Sequence, residues 1–245
     1  MMGWLASIRN ADEARQVLAA GADIVDAKNP NAGALGALTL DTVSSIVKAV
    51  KGESLVSATI GDFPDMEPHA VSLAASMMAS TGVNIVKVGL FPAPTLHHCL
   101  NALGSLCGQY RLVAVLFADK NPDISLVHLL AKLGFYGVML DTMDKSAGGL
   151  LKHQPIEHLA EFIIQARRVK LITGLAGSLR AKDIPALATL SPDYLGFRGA
   201  LCHNHTRADT LDRNAVSVIA QTMTGCMGHS KHQPDHHFVS DQSRR

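Results

Sequence analysis

The sequence predicts an α/β chain folded as one (β/α)8 TIM barrel, and three observations carry that prediction. The length of 245 residues is near the usual size of a single such barrel. Short apolar runs alternate with longer amphipathic stretches eight times along the chain. The apolar mass comes from Ala, Leu, Val and Gly, with only 4% aromatic residues, which suits helices packed over a parallel sheet better than a β-sandwich.

The strand-like segments cover residues 4–8, 23–28, 55–60, 85–90, 112–118, 137–142, 171–176 and 194–198. Most are continuous apolar runs rather than strict alternations, as strands buried on both faces of a parallel sheet require. The first helical stretch, 10–21, opens on Asn10, carries Asp12 and Glu13 in its first turn and Arg15 later, and ends at Gly21. The others cover 39–51, 68–80, 95–106, 125–133, 155–168, 181–190 and 209–222, with Pro68 and Pro155 at first helical positions. Gly21, Gly82 and Gly134 are placed to end helices in left-handed turns just before a strand. Strict βα repetition implies right-handed parallel connections; eight units close into a barrel, with an open doubly wound sheet as the alternative.

The barrel is expected over residues 1–225. Residues 226–245 form a polar tail, and from Gly228 on it carries His229, His232, His236 and His237 without apolar period. A solvated, disordered extension with no function is the expectation there.

Composition also excludes functions. Net charge is +1, without a run of Lys and Arg in the folded region, so neither nucleic acid nor an anionic membrane is an expected partner. Phosphate recognition, if present, must be local. Cys99, Cys107, Cys202 and Cys226 form no CxxC pair and read as thiols in a reducing cytosol. The first ten residues lack the apolar core of a signal peptide, and no apolar run approaches the roughly 20 residues that span a bilayer. A cytoplasmic protein is expected, and a homo-oligomer is compatible with the sequence.

In this fold catalytic groups sit at the C-terminal ends of the strands and in the loops beyond them. Strand two ends on Asp26 and Lys28, which two-residue spacing puts on one face. Strand four carries Lys87, strand six ends on Asp141 with Lys145 close behind, and strand eight ends on Arg198. Charges inside apolar runs are expensive to bury unless paired. All these strands are even-numbered and contribute to common interior layers, so Asp26, Lys28, Lys87, Asp141 and Arg198 can converge on one cavity. A structural ion-pair network at the barrel mouth is the bland alternative. Several lysines in one pocket depress each other's pKa. A lysine near about 10.4 is protonated at neutral pH, and roughly 4 kcal/mol of ammonium destabilisation frees it to attack a carbonyl as a Schiff-base nucleophile. Asp26 opposes that shift, so proton transfer suits it better. Ala176-Gly177-Ser178 after strand seven and Gly196-Phe197-Arg198-Gly199 after strand eight lie where barrels hold phosphate. Asp62, Asp119 and Lys120 are further polar strand ends that capping explains equally well. His97, His98, His153, His158, His203 and His205 lack metal-ligand spacing and read as surface or loop residues, and neither a metal nor an organic cofactor is expected.

Several strings together resemble the (5-formylfuran-3-yl)methyl phosphate synthase family, also called 4-(hydroxymethyl)-2-furancarboxaldehyde-phosphate synthase. They are GADIVDAKNP at 21–30, LVSATIGD at 55–62, VKVGL at 86–90, MLDT at 139–142, LAGS at 175–178 and GFRGA at 196–200. The resemblance covers about residues 4–222 and leaves out the His-rich tail. It implies a (β/α)8 lyase that condenses two molecules of glyceraldehyde 3-phosphate, with its furan phosphate product entering methanofuran or methylofuran biosynthesis and one-carbon metabolism. It further implies Lys28 as the Schiff-base lysine, Asp26 as its neighbouring acid, Lys87 and Lys145 as further catalytic lysines, and Asp141 as the strand-six acid. Two rivals stay open. A barrel decarboxylase or isomerase of sugar phosphates is one, though the D-x-K-x-x-D string of the orotidine-phosphate decarboxylase group lacks its second acid here, where Asn31 stands. A phosphosugar-binding module is the other, and it has no use for three lysines and two acids at the barrel mouth.

Overall fold

The strands close on themselves in chain order. In the computed structural model, which describes residues 2–144 and 147–227, they are β1 (Gly3–Ile8), β2 (Ile24–Ala27), β3 (Leu55–Thr59), β4 (Ile85–Gly89), β5 (Leu112–Phe117), β6 (Gly137–Asp141), β7 (Ile172–Leu175) and β8 (Tyr194–Phe197). Every neighbouring pair is parallel, and β8 returns to pair with β1, which selects the closed barrel over the open sheet. The Lys145 expectation lies outside the described residues, as does the tail from 228 to 245.

The helices between strands are α1 (Ala11–Ala19), α2 (Leu40–Val50), α3 (Pro68–Ala79), α4 (Leu96–Gly104), α5 (Leu126–Lys132), α6 (Leu150–His153), α7 (Ile156–Arg168), α8 (Ile184–Ala188) and α9 (Arg213–Met227). Local chemistry sets their ends. The Asn10 side chain accepts from the Glu13 amide at 2.9 Å, and the Glu67 carboxylate accepts from His69 and Ala70 ahead of Pro68. Gly21, Gly82 and Gly134 all take positive φ, as the helix-to-strand turns demand. Among the described residues no helix is long and apolar enough to cross a membrane.

The structure departs from the sequence pattern in three places. Residues 181–190 divide into a 3-10 turn, Ala181–Asp183, and the five-residue α8. Pro185 sits in the first turn of α8, where its missing N–H does no harm, but it cannot continue a helix arriving from Ala181. The short α6 has no counterpart in that pattern, because four residues leave no measurable period. The last helix starts at Arg213 rather than at 209: residues 199–212 instead hold two 3-10 turns, Gly199–Leu201 and His203–His205, and a bridge between Cys202 and Leu211.

Strand register lines up the polar residues of the interior. Ser7 on β1 lies opposite Asp26 on β2, and Asp26 lies opposite Ser57 on β3. One step further round and higher, Thr59 faces Lys87 on β4. Ser7, Asp26 and Ser57 thereby form one polar row across three adjacent strands, with Thr59 and Lys87 one step higher.

Candidate active site

Asp26 is fully buried, and three donors converge on it. Ser7 Oγ donates to Oδ2 at 2.8 Å, Ser57 Oγ to Oδ1 at 2.7 Å, and Lys87 Nζ to Oδ1 at 2.7 Å. This satisfies a charge that the barrel core could not otherwise hold. Burial drives the Lys87 pKa below the ordinary lysine value; the Asp26 carboxylate pulls it back up, and the charge of Lys28 pushes it down again. The Lys87 ammonium is therefore destabilised by its surroundings.

Above this pair lies a second one. Lys28, just past the end of β2, reaches across the barrel so that its Nζ donates to Asp141 Oδ2 at 3.3 Å. The other Asp141 oxygen accepts from the Thr142 amide at 2.8 Å. Lys28, Lys87 and Asp141 line a cavity of about 160 Å³ at the C-terminal face. Asp26 does not line it. The expectation that all these groups share one cavity is corrected to this extent: Asp26 stands one layer below, and it reaches the cavity through Lys87 and Ser7, both of which line it.

The β7 and β8 loops form the opposite wall, where Gly177, Ser178, Arg198 and Gly199 all border the cavity. Gly177 and Ser178 both have positive φ, and the Gly177 carbonyl accepts from the Leu150 amide at 2.9 Å, which ties the turn to α6. A Cβ on Gly177 would stand 2.9 Å from Thr142 Cγ2 and 3.1 Å from the Thr142 amide nitrogen. Gly177→Ala is therefore expected to lower stability by about 1–3 kcal/mol in urea unfolding. An unchanged transition would mean that the turn relaxes freely.

Arg198 does not match the phosphate role expected of it. Its guanidinium forms an ion pair with Glu13, with Nη1 at 2.6 Å from Oε2, and further donates to the carbonyls of Ser7, Arg207 and Asp209. Glu13 also holds Arg9, whose Nη1 reaches the Ala208 carbonyl at 2.7 Å. Arg198 thus fastens the β8–α9 connection to the start of the barrel. That connection delivers two residues to the cavity that sequence reasoning misses as site residues, His205 and Arg207. Arg180, after β7, is a third. None of the three belongs to a recognisable string or to a strand end, so periodicity offers no signal for them. Asp62 and Asp119 serve other loops: Asp62 accepts from the Ala34 and Leu35 amides, and Asp119 from the Met143 and Asp144 amides.

An amine beside a carboxylate, a second amine with a depressed pKa beneath it, and a cationic wall can bind an anionic carbonyl compound and move protons around it. Residues 4–220 match the family described as 4-HFC-P synthase. The chain belongs to that family. Relatives named (5-formylfuran-3-yl)methyl phosphate synthase include those of Methanocaldococcus jannaschii, 32% identical, covering 89% of this chain and 97% of the relative, and Methanosarcina acetivorans, 34% identical, covering 90% and 99%. A Methylorubrum extorquens protein carrying the same name provisionally is 41% identical over 89% of this chain and 90% of its own length. Relatives named synthases make this barrel an enzyme. Solved structures with the same fold include phosphoribosyl anthranilate isomerase from Thermotoga maritima, with a TM-score of 0.67 and 14% identity over 92% of this chain and 100% of that one. 3-Hexulose-6-phosphate synthase from Salmonella typhimurium gives a TM-score of 0.65 and 17% identity, over 92% and 100%. At these identities the likeness concerns the barrel alone. The 4-HFC-P synthase match takes in every charged residue of the cavity and ends before the His-rich tail.

Proposed function

We propose that the enzyme condenses two molecules of glyceraldehyde 3-phosphate into (5-formylfuran-3-yl)methyl phosphate, releasing one phosphate and two waters, through an iminium on Lys28. The observation that carries this reading is the cavity-facing Lys28 amine 3.3 Å from the Asp141 carboxylate, in a chain of the 4-HFC-P synthase family. The Lys28 amine adds to the aldehyde carbon of the first triose, and loss of water gives the iminium. Asp141, beside that nitrogen, is placed to take the neighbouring C–H proton. The resulting enamine attacks the aldehyde of the second triose and forms the new carbon–carbon bond. Elimination of phosphate, ring closure and two dehydrations then complete the aromatic ring, and hydrolysis of the iminium, which takes back the water lost in forming it, frees the product aldehyde and returns Lys28. Asp26 and the two hydroxyls around it hold Lys87 in place, and Lys87 relays protons beneath the reacting carbon. Lys145, a further catalytic lysine by the family resemblance, is given the role of stabilising phosphate charge. A phosphorylated triose is the proposed partner. The furan phosphate product points to methanofuran or methylofuran biosynthesis, and the free thiols support a cytoplasmic setting.

The test is incubation with glyceraldehyde 3-phosphate, following furan absorbance and phosphate release, with borohydride trapping and intact mass in parallel. Furan together with a reduced adduct on Lys28 is the expected result. Folded protein that yields neither would remove the synthase reading.

The depressed pKa of Lys87 gives the reaction a pH signature. If neutral Lys87 relays protons, activity rises with pH along a limb whose midpoint lies below the ordinary lysine value of 10.5. The sign for stability is the same. In that window the unfolded chain keeps a proton that folded Lys87 has lost, so the unfolding free energy also rises with pH. A rate profile of Lys87→Met that retains the limb would exclude Lys87 as the group responsible.

A further inference from the structure

We propose that Arg180 is the guanidinium that grips the phosphate of the aldehyde held in the cavity. The inference rests on the reading of that cavity as a site for a phosphorylated aldehyde, and it assigns a phosphate-gripping residue among the described ones.

Three observations lead to Arg180. Its Nη1 is buried and, among the described residues, meets no hydrogen-bond acceptor. A buried guanidinium N–H without an acceptor is an unfavourable state for a folded protein, and a small turn of the side chain toward the cavity would let a ligand supply one. Second, Arg180 lines the same cavity as Lys28, Gly177 and Ser178, and stands two residues beyond the left-handed Gly177–Ser178 turn. Its own amide donates to Asp183 Oδ2 at 2.8 Å, which fixes the backbone from which the side chain springs. On its other side Arg180 borders a hollow walled in large part by Ala200, Ala215, Val218 and Ile219, whose side chains offer no acceptor. Third, the competing cations of the cavity among the described residues already have partners. Lys28 and Lys87 pair with Asp141 and Asp26, Arg198 is engaged by Glu13 and three carbonyls, and Arg207 Nη2 donates to the Gly33 carbonyl at 3.2 Å.

The chemistry fits a phosphate monoester. A planar guanidinium presents parallel N–H donors that match two phosphate oxygens at once, and it stays charged through any pH at which the lysines titrate. Arg180 is a binding residue in this scheme, whereas Arg198 is a positioning residue that sets the neighbouring loop.

The experiment compares Arg180→Ala and the volume-keeping Arg180→Met with the unaltered enzyme, each first checked for an unchanged thermal transition. For glyceraldehyde 3-phosphate, kcat/KM is expected to fall on the order of a hundredfold, mainly through KM. Borohydride trapping of unphosphorylated glyceraldehyde on the protein should proceed at the unaltered rate, and added guanidinium should restore part of the loss for Arg180→Ala. Equal losses for both aldehydes, or no loss for the phosphorylated one, would overturn the assignment. A second arm is independent of turnover and titrates inorganic phosphate by calorimetry. Binding at least tenfold weaker in the variants supports Arg180 even where the unaltered enzyme makes no furan, so the two readings fail separately. Equal phosphate binding in all three proteins would overturn the role of Arg180.

Discussion

Lys28→Ala is expected to lower furan formation by about a thousandfold or more and to abolish the borohydride-trapped adduct. The size reflects what Lys28 supplies. Its amine is the nucleophile of the proposed iminium, and among the described residues the other lysine of the cavity, Lys87, cannot take over its attack without moving. Lys87 lies below it with its Nζ 2.7 Å from Asp26, a contact that it must break to reach a carbonyl in the cavity. Lys28→Arg separates nucleophilicity from charge, because a guanidinium can still face Asp141 but does not add to an aldehyde at neutral pH. Both variants should bind inorganic phosphate as the unaltered enzyme does. Intact mass after reduction decides the matter: an adduct that persists in Lys28→Arg assigns the covalent bond to another lysine.

The second large effect concerns stability. Asp26→Leu should destabilise the barrel by about 3–5 kcal/mol, since it leaves the buried Lys87 ammonium without its counter-charge. The loss should shrink as pH rises. Without Asp26 the folded pKa of Lys87 falls further, the unfolded chain then carries the extra proton, and stability climbs with pH. Combining Asp26→Leu with Lys87→Met should recover the loss and leave a folded, inactive barrel, because an apolar pair of similar volume needs no desolvation. Urea unfolding of the single and double variants closes the cycle. A double variant as unstable as Asp26→Leu would mean that Ser7 and Ser57, stripped of their acceptor, dominate the cost.

The same residues show how far the sequence can be read. Continuous apolar runs and left-handed glycines locate all eight strands within a residue or two, since a strand buried on both faces has little freedom in composition. Lys28, Lys87 and Asp141 are legible because a charge in such a run is costly and stands out. Ser7 and Ser57 are not, since a serine in an apolar strand is unremarkable until register sets it beside Asp26. Arg198 is legible as a charge at a strand end but not in its partner: Glu13 lies 185 residues away, in a first helical turn where an acid already has a local explanation. Arg180 and Arg207 sit in loops without period, where only the path of the backbone reveals what faces the cavity.

The Glu13 knot also bears on how the molecule is made. Arg198 joins the first βα unit to the last, and its Nη1 bond to the Ser7 carbonyl spans 191 residues. A contact of that separation carries a large loop-closure entropy and forms only after β8 has been synthesised. The floor built from β2, β4 and β6 can assemble earlier, but the wall bearing His205 and Arg207 waits for this seam. A nascent or partly opened barrel therefore holds its lysines in an unfinished vessel until this seam closes.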